Sequence, residues 1–470
     1  MKPNDEKLEL IRDGKMSSVL LKLGLPTIVG MLINSLYSIV DAFFVGGLGT
    51  GQMGAVSVVF PITQVIVGLG MTFGSGAASY ISRLLGKKQD DRANQTASTA
   101  LFTSLAAGVA VIAVFLIFLT PLLRSLGAIE DIMPYARGYA MIYITGAIFN
   151  IFNVTMNNIV TAEGATKLTM VAMLTGAGLN VILDPIFIYP LKMGIEGAAW
   201  ASILAQATTS CIYLEYTLRR KGYLRISPIF FRFDSAIFVE MLKIGIPTFV
   251  FQILSSFCMG LTNMAASAYG ASEVAAMGIV TRVMTLGSYV IFGYMKGFQP
   301  VAGYNYGAKQ YGRLREAKHL SLLWSTIFCC VAAVLLIVFA PYIIALFNHR
   351  DEAVIALGTK ALRAQAIVFP FTGYVFIYIS LYLALGKGKE GSLLSIARQG
   401  LFFIPAIMLL PMLLGVEGIV AAQPLADLLT LAFTLLIAIP LKRTLKKLPD
   451  VGEDAEAGTH GIVPIVEKSY

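Results

Sequence analysis

Two carboxylates stand where hydrocarbon is expected. Asp41 lies in "INSLYSIVDAFFVGGLG" (Ile33 to Gly49), and Asp184 lies in a second apolar stretch directly before Pro185. Asn34, Tyr37, Ser38 and Asp41 fall at i, i+3, i+4 and i+7 and share one helix face, while Asn180 and Asp184 are i and i+4. A carboxylate inside a membrane is costly, and two close together repel until a proton or a metal ion intervenes. Such a set suits reversible loading of H+ or of Na+, with Asp41, Asp184 and Asn180 as the oxygen ligands and Tyr37 beside them. At 1.5 Å per residue, Asp41 sits about 26 residues into its helix and Asp184 about 25 Å along its own, so the depths overlap. "NIFNVTMNN" adds Asn150, Asn153 and Asn157 on one face of a third helix, and Asn157 is assigned to the same coupling site. The alternative is structural: Asp41 would cap a turn near the outer interface, and the asparagines would hydrogen-bond between helices.

The elements that must hold these residues are set by composition. Of 470 residues, 57% are hydrophobic and 13% charged, and the mean hydropathy is +0.75, which excludes an ordinary soluble domain. The chain reads as an all-α polytopic membrane protein. A net charge of +9 does not point to nucleic acid, because the basic residues cluster between apolar segments as they do in cytoplasmic loops. Cys211, Cys258, Cys329 and Cys330 all lie inside apolar segments, and His319, His349 and His460 are scattered, so neither a disulfide framework, a zinc site nor a His-based triad can be assembled. The charged start "MKPNDEKLELIRDGKM" lacks a short apolar core with a small-residue cleavage site, so no removable signal peptide is expected there. No cofactor is expected.

A helix needs about 20 apolar residues to cross the hydrocarbon core. Twelve segments qualify, near 17–46, 52–85, 93–119, 132–160, 167–190, 195–219, 238–268, 273–306, 312–346, 351–385, 390–414 and 417–441. Lys and Arg concentrate after the even segments, which predicts both termini in the cytoplasm. A shift of 221 residues lays "LLKLGLPT" (Leu20 to Thr27) on "MLKIGIPT" (Met241 to Thr248), "GKKQDDR" on "GAKQYGR", and "GIEG" on "GVEG". One register for three separate stretches marks an internal repeat. Two pseudo-symmetric six-helix bundles in parallel orientation follow: a cytoplasmic segment 1–16, a first lobe 17–220, a linker 221–237, a second lobe 238–447 and a flexible tail 448–470. Lobes so related are used by transporters that bind cargo between them.

The repeat also serves as a control. At the same shift Asp41 meets Thr262, Asn180 meets Leu401 and Asp184 meets Pro405, so the carboxylates belong to one lobe. A requirement of the six-helix unit would recur in both. Elsewhere, Arg282 and Arg363 read as side chains snorkelling to the outer interface. Lys296 and Asp427 read as a charge pair or water contacts inside the second lobe. Met31, Met259, Met284, Phe149 and Tyr289, with Asn34, Ser38 and Asn153, are candidates for an adaptable cargo surface. Gly70 and Gly74 suit close helix packing.

The paired "LGLPT" and "IGIPT" helix starts, "VDAFFVGGLG", "TAEGATK" and "QPVAGYNYGAKQYGR" together resemble the multidrug and toxic compound extrusion (MATE) transporters, in particular the DinF-like and MepA-like bacterial branch. The resemblance covers about Lys15 to Lys447. It implies two lobes around a cleft, in a monomer of the cytoplasmic membrane, and export of amphipathic, often cationic drugs in exchange for H+ or Na+. It also implies coupling at the aspartate of the first helix and the Asn-x-x-x-Asp of the fifth, here Asp41, Asn180 and Asp184. Acidic residues on the seventh helix, used by other branches, have no match; Gln252 and Asn263 are the comparable polar groups there. The competing class is a lipid-linked precursor flippase of related architecture, whose anionic cargo would favour Arg and Lys in the cleft. Lys296 is the one midplane candidate for it.

Overall fold

A computed structural model describes residues 5–348 and 351–449. His349, Arg350 and the predicted tail from Asp450 onward lie outside the described residues. In chain order the helices are α1 (Asp5–Asp13), α2 (Met16–Gly46), α3 (Thr50–Gly86), α4 (Asp90–Ile117), α5 (Leu119–Ser125), α6 (Met133–Ala162), α7 (Thr166–Ile188) and α8 (Gly194–Leu218). After the linker come α9 (Ser235–Ser267), α10 (Ala271–Gly307), α11 (Tyr311–Phe347), α12 (Glu352–Ala384), α13 (Gly388–Ile396), α14 (Ile404–Leu414) and α15 (Val416–Lys447). A π-helical stretch, Ala397–Phe403, joins α13 to α14. Helices are the expected outcome, because in lipid every backbone group must find its partner within the segment.

Among the described residues, eleven helical spans are long and apolar enough to cross a membrane. The twelfth expected crossing, α8, has the length at 25 residues, but Gln206, Thr208, Thr209 and Ser210 make it less apolar. It packs along α6 and α7, and Tyr216 near its end hydrogen-bonds Glu163 just past the end of α6, 2.5 Å away. Of its polar residues, Thr209 and Ser210 are buried against protein.

The repeat reaches the backbone. Gly49 and Gly270, mates at 221, both turn into their helices at positive φ, 134° and 147°. Lys88 and Lys309, also mates, both adopt the left-handed conformation, at 57° and 59°.

The lobes meet along α2 against α10 and α3 against α9. The closest approaches lie in the half of the bundle that carries the chain ends. A Cβ on Gly86 would overlap the Tyr304 carbonyl, and one on Gly307 would overlap that of Arg83; these two contacts are themselves repeat mates. Gly297 lies against Gly24, and Gly76 against Met241. Two arginines, mates again, reinforce this end: Arg92 reaches Asp234 ahead of α9 at 3.3 Å, and Arg313 donates to the Ile11 and Gly14 carbonyls ahead of α2 at 3.0 and 2.7 Å. Arg83 adds an ion pair to Glu240 of the other lobe at 2.8 Å. Beyond the Gln64 to Ser256 hydrogen bond of 3.1 Å near mid-depth, α2 leans on α7 of its own lobe, where Tyr189 approaches Phe44 and Gly47. The lobes thus close at the end bearing the termini and part toward the other.

Candidate functional site

Helix α2 brings Asp41 to within five residues of its end, and α7 brings Asp184 up beside it. The two carboxyl groups are in hydrogen-bond contact. Such a contact requires a proton or a cation between the oxygens, since two bare carboxylates repel at that range. Asp184 is fully buried and Asp41 half-buried, so Asp41 is the accessible member. Asn180, one turn before Asp184, donates its amide to Asp184 Oδ2 at 2.7 Å, while its amide oxygen accepts from the Ser202 hydroxyl of α8 at 3.2 Å. The Ser202 hydroxyl lies 3.4 Å from that of Tyr37. Tyr139 and Tyr143 of α6 stack at 6.0 Å beside the pair, and Tyr143 hydrogen-bonds Gln206. The site is therefore built by α2, α6, α7 and α8, all of the first lobe. Its donors are hard oxygens, which suit a proton or Na+ alike.

Asp41, Asp184, Asn180 and Tyr37 thus come together as their spacing suggested. Asn157 is differently placed. It sits five residues before the end of α6, roughly 30 Å of helix rise from Tyr139 at the carboxyl level. There its amide nitrogen donates to Tyr213 at 3.1 Å and its oxygen accepts from Lys296 Nζ of α10 at 3.2 Å. Lys296 therefore crosses to the first lobe rather than serving the second. Asn153 faces α8, donating to the Gln206 carbonyl at 2.8 Å and accepting from Ser210 at 2.9 Å. Equal spacing along α6 concealed this because an antiparallel helix descends as α2 rises.

Of the cargo candidates, Asn34, Ser38, Phe149 and Met259 are exposed, and Ser38 donates back to the Asn34 carbonyl at 3.0 Å. Met31 and Tyr289 are half-buried. Met284 is packed against the buried core at two places, so it acts as filling. Arg282 is exposed, as snorkelling requires, and Arg363 donates to the Ile337 carbonyl at 3.1 Å. Asp427 does pair within the second lobe, with Arg398 at 2.7 Å, and Gln423 supports it at 3.0 Å.

Sequence reasoning missed Tyr139, Tyr143, Ser202, Gln206 and Arg398. The first four carry a readable signal, since Tyr139 and Tyr143, like Ser202 and Gln206, are polar pairs at i and i+4 in apolar helices.

Comparison with known proteins bears on this architecture directly. The MatE family model matches residues 26–186 and 247–417, one stretch in each lobe. "Multidrug export protein MepA" of Staphylococcus aureus (strain NCTC 8325 / PS 47) is 28% identical over 441 residues, covering 93% of this chain and 97% of that protein. A crystal structure of "MATE in complex with MaL6" superposes with a TM-score of 0.88 at 28% identity, over 93% of this chain and 99% of the other. The "outward-facing conformation of a multidrug resistance MATE family transporter" gives 0.88 at 27% identity, over 93% and 98%. Matched in both halves by one family model, and along nearly its whole length by solved structures of that architecture, this chain belongs to the MatE family.

Proposed function

We propose that the protein exports amphipathic, often cationic organic compounds from the cell by alternating access, in exchange for H+ or Na+. The observation that carries this reading is the hydrogen-bonded Asp41 and Asp184 pair, present in one lobe and replaced in the other by Thr262 and Pro405. The Staphylococcus relatives bear the name of multidrug export proteins, and the parted lobes agree with an outward-facing relative. The protein is a transporter rather than an enzyme, acts as a monomer, and keeps both termini in the cytoplasm.

With the cleft open outward, an external ion enters at Asp41 and is shared with Asp184. Neutralising the pair removes the repulsion that otherwise separates α2 from α7, so the loaded lobe differs in shape from the empty one. Only such a difference in binding between states lets the ion drive cargo release. A potential of 100 mV supplies about 2.3 kcal/mol per charge. A flippase would need cations free to meet an anionic cargo, whereas Lys296 donates to Asn157.

Asp41→Asn or Asp184→Asn should abolish gradient-driven efflux of a cationic dye from proteoliposomes while leaving the protein folded. Separate proton and sodium gradients would assign the ion. Undiminished efflux from both variants rules the coupling site out.

A further inference from the structure

At the end of the second lobe that bears the termini, α11 and α15 bring basic groups together. Lys318 is 8% exposed, and no hydrogen bond or ion pair engages its ammonium among the described residues. Among the described residues its charged neighbours are Lys442 and Arg315, both of its own sign. His319, exposed on the same turn, faces Lys318 and Lys442. Lys442 donates to the Tyr374 hydroxyl at 3.0 Å and lies over the Tyr374 and Tyr378 rings at 5.7 and 5.6 Å. Arg315 holds the Leu445 and Leu448 carbonyls at 2.9 and 3.1 Å, fixing α15 against α11. A buried ammonium facing further cations is costly unless an anion completes the set.

The repeat shows that the six-helix unit does not demand this arrangement. Lys318 and His319 correspond to Ala97 and Ser98 of α4, and Arg315 to Asn94. In the first lobe that position is covered by the linker, whose Arg225 and Ser227 amides donate to Asn94 and Ser98 at 2.7 and 3.2 Å. In the second lobe Arg315 meets the end of α15 at that position, and Lys318 and His319 stand where the first lobe has Ala97 and Ser98.

Depth and surroundings identify the anion. Lys318 lies seven residues into α11 and Lys442 five before the end of α15, about 8–11 Å inside the bundle's end, which is headgroup level. From His319 the exposed face of α11 continues as Leu323, Ile327, Val331 and Leu335 at successive i+4 steps, a path for acyl chains. We propose that Lys318, Lys442 and His319 form a binding site for the phosphate of an anionic phospholipid, taken from the leaflet on the side of the termini.

The test uses the full-length protein in nanodiscs and by native mass spectrometry in detergent. Phosphatidylglycerol should be retained over phosphatidylcholine and should raise the melting temperature. Each lysine near the surface is worth about fivefold in affinity, so Lys318→Met with Lys442→Met should lose the preference, while Lys318→Arg keeps it. Lys318→Met alone should be more thermostable than wild type in neutral detergent, because it removes an uncompensated buried charge; this readout does not depend on lipid. The proposal is overturned if the double variant retains phosphatidylglycerol as well as wild type, or if inorganic phosphate or glycerol phosphate protects equally well.

Discussion

Ser202 marks how finely the carboxyl pair is held. Its hydroxyl stands between Asn180 and Tyr37, so Ser202→Ala removes one of the two hydrogen bonds to the amide that orients Asp184, the Ser202 backbone N–H at 3.2 Å remaining, without touching either acid. Losing one such hydrogen bond costs about 1 kcal/mol, or roughly a fivefold rise in the ion concentration for half-maximal efflux. Maximal efflux should be nearly kept, and an unchanged half-saturation would show that the hydroxyl has no part in loading. The acids themselves could be read from the sequence, because a charge in an apolar helix has few bland explanations and the repeat supplied a control. Asn157 could not, since its partners Lys296 and Tyr213 come from other helices and depend on depth within the bundle.

At the level of elements, hydropathy located nearly every crossing, but not the widened turn between α13 and α14. Periodicity is blind to one extra residue per turn. That stretch contains Arg398, which pairs with Asp427 and stacks over Phe376 at 5.2 Å, and Cys258 of α9 donates to the Gln399 carbonyl at 3.4 Å. π-Helical turns leave carbonyls for such outside partners. Both pair members are largely buried, with side chains 14% and 8% exposed. Arg398→Met should therefore cost about 3–5 kcal/mol by stranding Asp427, whereas Arg398→Met with Asp427→Leu should recover most of that loss. Thermal unfolding in detergent measures both; equal losses in the single and double variants would mean the pair matters for more than its charge.

Across the whole molecule, the register of 221 predicted two like lobes, and the structure adds how they grip each other. A Cβ on Gly297 would meet Gly24 of the opposite lobe, so Gly297→Ala wedges the closed end. Strain of about 1–3 kcal/mol corresponds to roughly a five- to 150-fold change in population. Spin labels at Tyr189 and Met264, near the open ends of α7 and α9, should move closer in this variant. An unaltered distance distribution with full efflux would show that the seam does not govern opening. The hydropathy profile held no hint of the seam, because glycine's significance there comes from the chain it touches.

Most packed helices interlock through side chains, which must find new rotamers before the surfaces separate. Where Gly86 and Gly307 rest against opposing carbonyls, there are no knobs to withdraw from holes. At these points the faces can part without a side chain changing rotamer, and what must break around them is polar: the Arg83 and Arg92 ion pairs and the Arg313 hydrogen bonds. For the alternating-access cycle proposed above, this end would be released by breaking polar contacts rather than by repacking side chains.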